Sequence, residues 1–210
     1  MRLPLSISGD AAERKQQVVA ELRRSEILAA AAKVFAGKGF DATRMEEIAA
    51  AAGLAKGTLY RYFASKDEVY EATVQQALDK LAALTEERVR QTPEFRGKLA
   101  AFVAVRMAFW HQHQQLYRII VGINGQENHR RRSYRWQRET VLYLAAMFEA
   151  AAQGGEIPVQ DYLAAAWATM DAIRGVNERR VLSQTVSVEE QARFLTGFLL
   201  RALGADSTAR

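Results

Sequence analysis

A run of apolar residues at helical spacing, halted by glycine at Gly37 and Gly39 and again at Gly53, most constrains this chain. It divides the stretch from Arg24 to Lys66 into three short helices. Ile27, Ala31 and Phe35, with Leu28 beside them, recur at i, i+4 and i+8 and must face a core. Gly37 and Gly39 supply the backbone freedom of a helix stop, and Phe40 offers an apolar plug beneath the turn. Thr43-Arg44-Met45-Glu46 fits a capping box and opens a second helix whose Met45, Ile48, Ala49 and Ala52 point inward. Gly53 stops it, Leu54 fills the turn, and a third helix follows from Ala55 to about Phe63. Two short helices around a tight glycine turn, braced by a third, make a helix-turn-helix.

In such a unit the second helix of the motif enters the major groove, led by its N-terminal residues. Here Leu59 and Phe63 share a face and pack beneath, which leaves Lys56, Thr58, Tyr60, Arg61 and Tyr62 directed outward. Lysine and arginine donate to guanine O6 and N7, threonine offers a methyl to thymine, and tyrosine hydroxyls suit phosphates. Gly57 has no side chain to hold the helix off the DNA. Ala55 cannot cap this helix, so one backbone donor is left to water or phosphate. Charge placement agrees. Of the net +5, residues 1–66 hold 11 Lys+Arg against 7 Asp+Glu, and the remainder 18 against 17. The excess therefore sits where phosphates are expected.

The remaining chain reads as helix throughout. Alanine-rich runs, only 3 prolines and 49% apolar residues favour an all-α fold. Residues 1–12 read as a loose arm. Ser65-Lys66-Asp67-Glu68 is a second capping box, and the long helix it opens, to about Gln91, is a connector suited to carrying motion. Thr92-Pro93 and Pro158 open further helices. Ser187-Val188-Glu189-Glu190 is a third capping box. The boundaries expected are an arm and helix start over 1–20, a DNA-binding domain over 21–80, and a helical effector-binding and dimerisation domain over 81–210. No run approaches the roughly 18 apolar residues of a membrane span, and no secretory signal is recognisable, so no membrane partner is expected. With no cysteine the chain suits a reducing cytoplasm.

Residues 24–70 resemble the DNA-binding domain of TetR-type transcriptional regulators. That family's pattern is met by Val34-Phe35, Gly39-Phe40, Thr43, Ile48-Ala49, Ala52-Gly53-Leu54, Thr58-Leu59-Tyr60, Tyr62-Phe63, Ser65-Lys66 and Val69. The resemblance implies phosphate contacts from Thr43 and Lys66, with Arg44 beside them. It also implies that Lys56, Gly57, Thr58, Tyr60, Arg61 and Tyr62 face the groove or its walls. Ala55 departs from the serine common there. The resemblance further implies a homodimer, formed by the last two long helices, on double-stranded operator DNA.

Apolar stripes on those two helices give an expected dimer interface of Trp167, Met170, Leu195, Phe198, Leu199 and Ala202, although packing inside the protomer explains the same stripes. An effector pocket is expected among the middle helices. The inward stripe of Phe102, Arg106, Phe109, Trp110 and His113 mixes polar anchors into a core, and Tyr117, Tyr143, Met147, Met170, Arg174 and Asn177 could complete a cavity. The arginines at 130, 131, 132, 135 and 138 read best as a solvated face. His111 and His113 point apart on a helix and cannot share a metal. No nucleophile, phosphate loop or catalytic carboxylate pair has a recognisable context, so no cofactor, metal or enzymatic activity is expected. The function expected is a dimeric repressor released from its operator by a small molecule. The alternative is a DNA-binding regulator, activators included, controlled by a protein partner.

Overall fold

The computed structural model describes residues 7–114, 116, 117, 120, 127–182 and 186–205, with side chains described over 13–114, 116, 117, 120, 136–179 and 186–205. Among the described residues there are eight α-helices and no strand. They are α1 (Ile7–Ala42), α2 (Met45–Ala51), α3 (Lys56–Tyr62), α4 (Lys66–Arg90), α5 (Phe95–Gln112), α6 (Glu127–Gln153), α7 (Tyr162–Leu182) and α8 (Val188–Ala202). The all-α reading is correct. The chain divides into two units, Met1–Val74 and Gln75–Arg210, and α4 contributes residues to both.

In the first unit α1 packs on α2 and α2 on α3. Ile27, Ala31, Phe35, Ile48, Leu59, Phe63, Val69 and Tyr70 form its interior. The helix expected from Glu13 begins at Ile7, so half of the presumed arm is helical. Gly39 alone ends α1's regular course. Its φ of 81° and ψ of 171° lie in a region essentially closed to residues with a Cβ, whereas Gly37 stays helical. The break turns Phe40 under the helix end, where its ring stacks on Phe35 at 5.8 Å and meets Tyr70 edge-on at 5.2 Å. At the end of α2, Gly53 has φ of 66°. It lets the Gly53 and Leu54 N–H groups donate back to the Ala50 and Ala49 carbonyls at 3.0 and 2.8 Å, a Schellman arrangement. Leu54 is half-buried rather than sealed in the turn.

The caps correct the sequence reading in four places. The N-cap of α2 is Arg44, not Thr43, and its backbone N–H donates to the Glu47 carboxylate at 2.9 Å. At α4, Ser65 Oγ accepts from the Glu68 N–H at 3.2 Å as expected, but the Glu68 carboxylate accepts from Ala64 N–H rather than closing the box on Ser65. Neither proline opens its helix. α5 starts at Phe95, whose N–H donates to the Glu156 carboxylate at 2.9 Å, and α7 starts at Tyr162, with the Asp161 carboxylate accepting from Ala164 N–H at 2.9 Å. The Ser187–Glu190 box at α8 is present in full.

In the second unit α5 packs against α7 and α8, α6 against α7, and α7 against α8. Leu99, Phe102, Val103, Met107, Leu144, Phe148, Ile173, Leu195 and Leu199 belong to one core. No helix among the described residues is long and apolar enough to cross a membrane.

The two glycines of α1 should respond with opposite signs. Gly39→Ala is expected to destabilise the protein by about 1–3 kcal/mol, the usual cost of holding a residue with a Cβ in so restricted a region. Gly37→Ala, helical and with open space around an added Cβ, is expected to stabilise by about 0.5–1 kcal/mol. Urea denaturation of both variants checks this, and equal effects would place the break elsewhere.

Candidate nucleic-acid interface and effector pocket

α3 has seven residues, and no side chain caps its N-terminus, as alanine at position 55 requires. Leu59 and Phe63 anchor it at 0% and 1% exposure, which leaves Lys56, Gly57, Tyr60 and Arg61 exposed and Thr58 and Tyr62 half-buried. Of the residues expected to point outward, Lys56, Tyr60 and Arg61 are exposed, while Thr58 and Tyr62 are partly covered. An added Cβ at Gly57 would meet nothing within 4 Å, so the backbone there can approach a flat partner closely. Lys56 pairs with Glu46 of α2. Its hydrogen bond holds the Glu46 carboxyl below the ordinary range, and Glu46 in turn raises the Lys56 ammonium. Binding at Lys56 thus exchanges one anion for another.

The other end of α3 is tied by a residue that sequence reading passed over. Arg24 of α1 donates to the Tyr62 carbonyl at 3.3 Å and lies 4.2 Å above the centre of the Phe63 ring. It is a cation at a helix C-terminus, where the free carbonyls and the helix dipole favour positive charge. Lys66 does the same for α1. Its Nζ donates to the carbonyls of Phe40 and Asp41 at 2.7 and 3.2 Å, 4.4 Å from the centre of the Phe40 ring. Two of its three donors are therefore spent inside the protein. Thr43 needs a firmer correction. It is 2% exposed, its only O–H proton goes to the Gly39 carbonyl at 2.6 Å, and its N–H goes to Phe40. Thr43 has no donor left for a phosphate and serves the turn. Arg44 is exposed.

The expected pocket residues fall into two groups. In one, Arg106 of α5 lies 4.4 Å from the centre of the Phe102 ring, donates to Thr140 Oγ1 at 3.2 Å, and shares Phe102 with the stacked ring of Tyr143, 6.3 Å away. Arg106 is 5% exposed and its Nε has no partner. Burial pushes its pKa down to about 10, so it remains a cation at neutral pH. In the other group Phe109 touches Trp110 and His113, Trp110 touches Tyr117, and the Tyr117 hydroxyl donates to the Arg174 carbonyl at 3.2 Å. Burial raises the Tyr117 hydroxyl and lowers the His113 imidazole.

Arg174 itself is not a pocket anchor. Its guanidinium is exposed and pairs with Asp171 at 2.9 Å and Glu178 at 3.8 Å on its own helix. Met170 packs on the unit's core, whereas Asn177 is buried with its amide nitrogen unpartnered. Tyr143 and Met147 line a cleft of about 580 Å³, together with Val89, Phe95, Lys98 and Glu156.

The interface list also needs correction. Leu195 and Leu199 are 3% and 4% exposed and belong to the protomer's own core. Phe198 and Ala202 face outward with Phe194, which was missed, and Trp167 is half-buried. The signal was present, because Phe194 and Phe198 stand four apart on a stripe rotated roughly 100° from that of Leu195 and Leu199. Of the five arginines between 130 and 138, Arg138 is exposed and the side chains of the others lie outside the described residues.

These features define a helix-turn-helix domain with an exposed, cation-bearing second helix. Residues 27–73 match the family described as bacterial regulatory proteins, tetR family. It is 39% identical over 98 residues to the HTH-type transcriptional activator FasR of Mycolicibacterium smegmatis, covering 47% of this chain and 45% of that protein. It is 38% identical over 95 residues to the HTH-type transcriptional repressor KstR2 of Mycobacterium tuberculosis, covering 45% and 48%. The chain is thus aligned with about half the length of these curated relatives. The fold extends further. The crystal structure of the transcriptional regulator FadR from Bacillus subtilis in complex with stearoyl-CoA superposes with a TM-score of 0.77 at 20% identity, over 83% of this chain and 96% of that one.

Arg24→Ala should loosen α3 selectively. Its amides are expected to exchange faster by an amount corresponding to about 0.5–1 kcal/mol, the combined scale of an exposed cation–π contact and a helix-end charge. The amides of α2 should not change. Hydrogen-exchange mass spectrometry checks this, and equal acceleration in both helices would refute the tie.

Proposed function

We propose that this protein is a sequence-specific DNA-binding transcriptional regulator, acting as a dimeric repressor that a small-molecule effector releases from its operator. The observation that carries the reading is α3. It is anchored by Leu59 and Phe63 and presents Lys56, Gly57, Tyr60 and Arg61 outward. Each protomer places α3 in the major groove of one half-site, the two half-sites lying about 34–36 Å apart or a multiple of that. Arg61 and Lys56 read base edges, Arg44 takes a phosphate, and Tyr60, Tyr62 and Thr58 line the groove walls. Lys66 acts mainly by holding α1's end in place, with one donor free for a phosphate.

The second copy covers the outward face formed by Phe194, Phe198 and Ala202 of α8 with Leu163 and Trp167 of α7. Domain roles follow the units, with DNA reading in the first, and effector binding and dimerisation in the second. α4, shared between them, carries the change. The effector works only if it binds the released conformer more tightly than the operator-bound one. The stearoyl-CoA bound by FadR and the apolar cleft beside Tyr143 support a small ligand with an apolar body. FasR, the activator, keeps a second reading open in which DNA binding raises transcription, and a promoter reporter gives the sign.

Selection from a random DNA pool tests the reading, with a near-palindromic site as the expected product. On that site Arg61→Ala should cost about 1–3 kcal/mol and relax selectivity at one base pair. A pool that yields no enriched sequence overturns the function proposed. For the dimer, the double variant Phe194→Glu, Phe198→Glu should sediment as a monomer and lose on the order of 100-fold in operator affinity, the scale set by losing one of two linked sites. A variant that remains dimeric would place the interface elsewhere.

A further inference from the structure

Among the described residues Arg106 is a buried cation without a counter-ion. It is 5% exposed, and no carboxylate among the described residues pairs with it. Its contacts are the Thr140 hydroxyl and the face of Phe102, and among the described residues its Nε–H has no acceptor. A guanidinium has five N–H donors in a planar fork. Arg174, exposed and paired with two carboxylates, does not share this state. Desolvating a charge is costly unless an opposite charge compensates it, and a core of this composition would be filled more stably by methionine or leucine. Structural use alone does not account for the residue.

The surroundings indicate what kind of compensation is missing. The Phe102 ring carries Arg106 and the stacked Tyr143, and Tyr143 also lines the 580 Å³ cleft. The cleft walls include the apolar Val89, Phe95, Met147 and Ala151, with the cations Arg90 and Lys98 and the carboxylates Glu86 and Glu156 at the same cleft. Neither Phe102 nor Arg106 lines this cleft, and Tyr143 links the two through its stack on the Phe102 ring that Arg106 covers. The planar fork matches two-oxygen anions, a carboxylate or a phosphate, better than it matches a point acceptor.

We infer that the effector is an amphiphilic anion whose carboxylate or phosphate head is bound by Arg106, with its apolar body lying against Phe102 and Tyr143. This rests on the proposed function and adds the effector's charge to it. The inference makes a demand that a structural arginine would not. The ligand-free protein should be more stable without the charge, and the anion's effect should vanish with it.

The test measures melting temperature and operator release for the full chain with decanoate, decyl phosphate, benzoate and phenyl phosphate, and with 1-decanol as the uncharged control. At least one anion is expected to raise the melting temperature of the wild type and weaken operator binding tenfold or more, with 1-decanol inactive at the same concentration. Decanoate against decyl phosphate separates the two head groups, and decanoate against benzoate the shape of the apolar body. Arg106→Met is expected to melt higher than wild type without ligand and to lose the anion response. Arg106→Lys, which keeps a charge but not the fork, should retain a reduced response, and it carries the test if the methionine variant does not fold. Three results overturn the inference: no response to any of the four anions, equal responses to decanoate and 1-decanol, or a full anion response in Arg106→Met. A neutral compound that releases the operator would overturn the charge assignment and leave the regulator intact. A protein that selects no DNA would overturn the regulator itself.

Discussion

A seven-residue helix without an N-cap has no stability of its own, because isolated helices shorter than about 12 residues are marginal in water. The groove-reading geometry of α3 is therefore borrowed entirely from its neighbours. Leu59 and Phe63 sink into the interior formed by α1, α2 and the first turns of α4, and Arg24 holds the final turn through a carbonyl and a ring. This arrangement explains why the DNA-binding unit needs three further helices to present four exposed residues. It also explains the tolerance of alanine at position 55. A missing cap costs little where tertiary anchors fix the helix, and it leaves the first N–H groups of α3 available to an outside acceptor.

The same device appears twice in the first unit. Arg24 lies over Phe63 and donates to a carbonyl at the end of α3, and Lys66 lies over Phe40 and donates to carbonyls at the end of α1. Each cation meets a ring face and a helix C-terminus together, two weak attractions of the same sign. Through Lys66 the start of α4 is pinned to the break at Gly39, and through Arg24 the end of α3 is pinned to the middle of α1. Register among the four helices is thus set by side chains that bridge helix ends, while the apolar contacts supply most of the free energy. A lysine placed this way has two of its three donors committed to the protein.

How much of this was legible follows from what a linear pattern can encode. The all-α fold, the helix-turn-helix and the anchors Leu59 and Phe63 were readable because 3.6-residue periodicity and helix-stop glycines are local signals. The Ser187 box was readable for the same reason. Thr43 was misjudged because Thr43 and Arg44 each precede an acidic residue by three positions, and only the break at Gly39 decides which residue takes the cap. Pro93 and Pro158 were assigned a helix-start role, yet the effective caps are the carboxylates of Glu156 and Asp161, and one of these is 61 residues from the N–H it accepts. Helix α8 carries apolar residues around more than half its circumference. The stripe through Leu195 and Leu199 was therefore as plausible an interface as the one through Phe194 and Phe198, and only burial separates them. Arg106 was visible as an odd residue in a core stripe, but the absence of a partner acid is a three-dimensional fact.

The two features that most distinguish the second unit both cost the isolated protomer stability. One is a desolvated guanidinium facing no acid among the described residues, the other a pair of phenylalanines half to mostly exposed on α8, Phe198 at 49% and Phe194 at 71%. A chain under selection for stability alone would replace the first with an apolar residue and the second with polar ones, since both changes are single substitutions on regular helices. Their retention is accounted for if each is completed from outside, the arginine by an anion and the phenylalanines by a second copy. On this view the least satisfied groups of the protomer mark its working surfaces. The two completions also act on connected elements, because α7 packs against both α5, which carries Arg106, and α8, which carries the phenylalanines. If an anion draws Arg106 toward itself, α5 shifts against α7 and α8, the helices whose outward face the proposed second copy would cover.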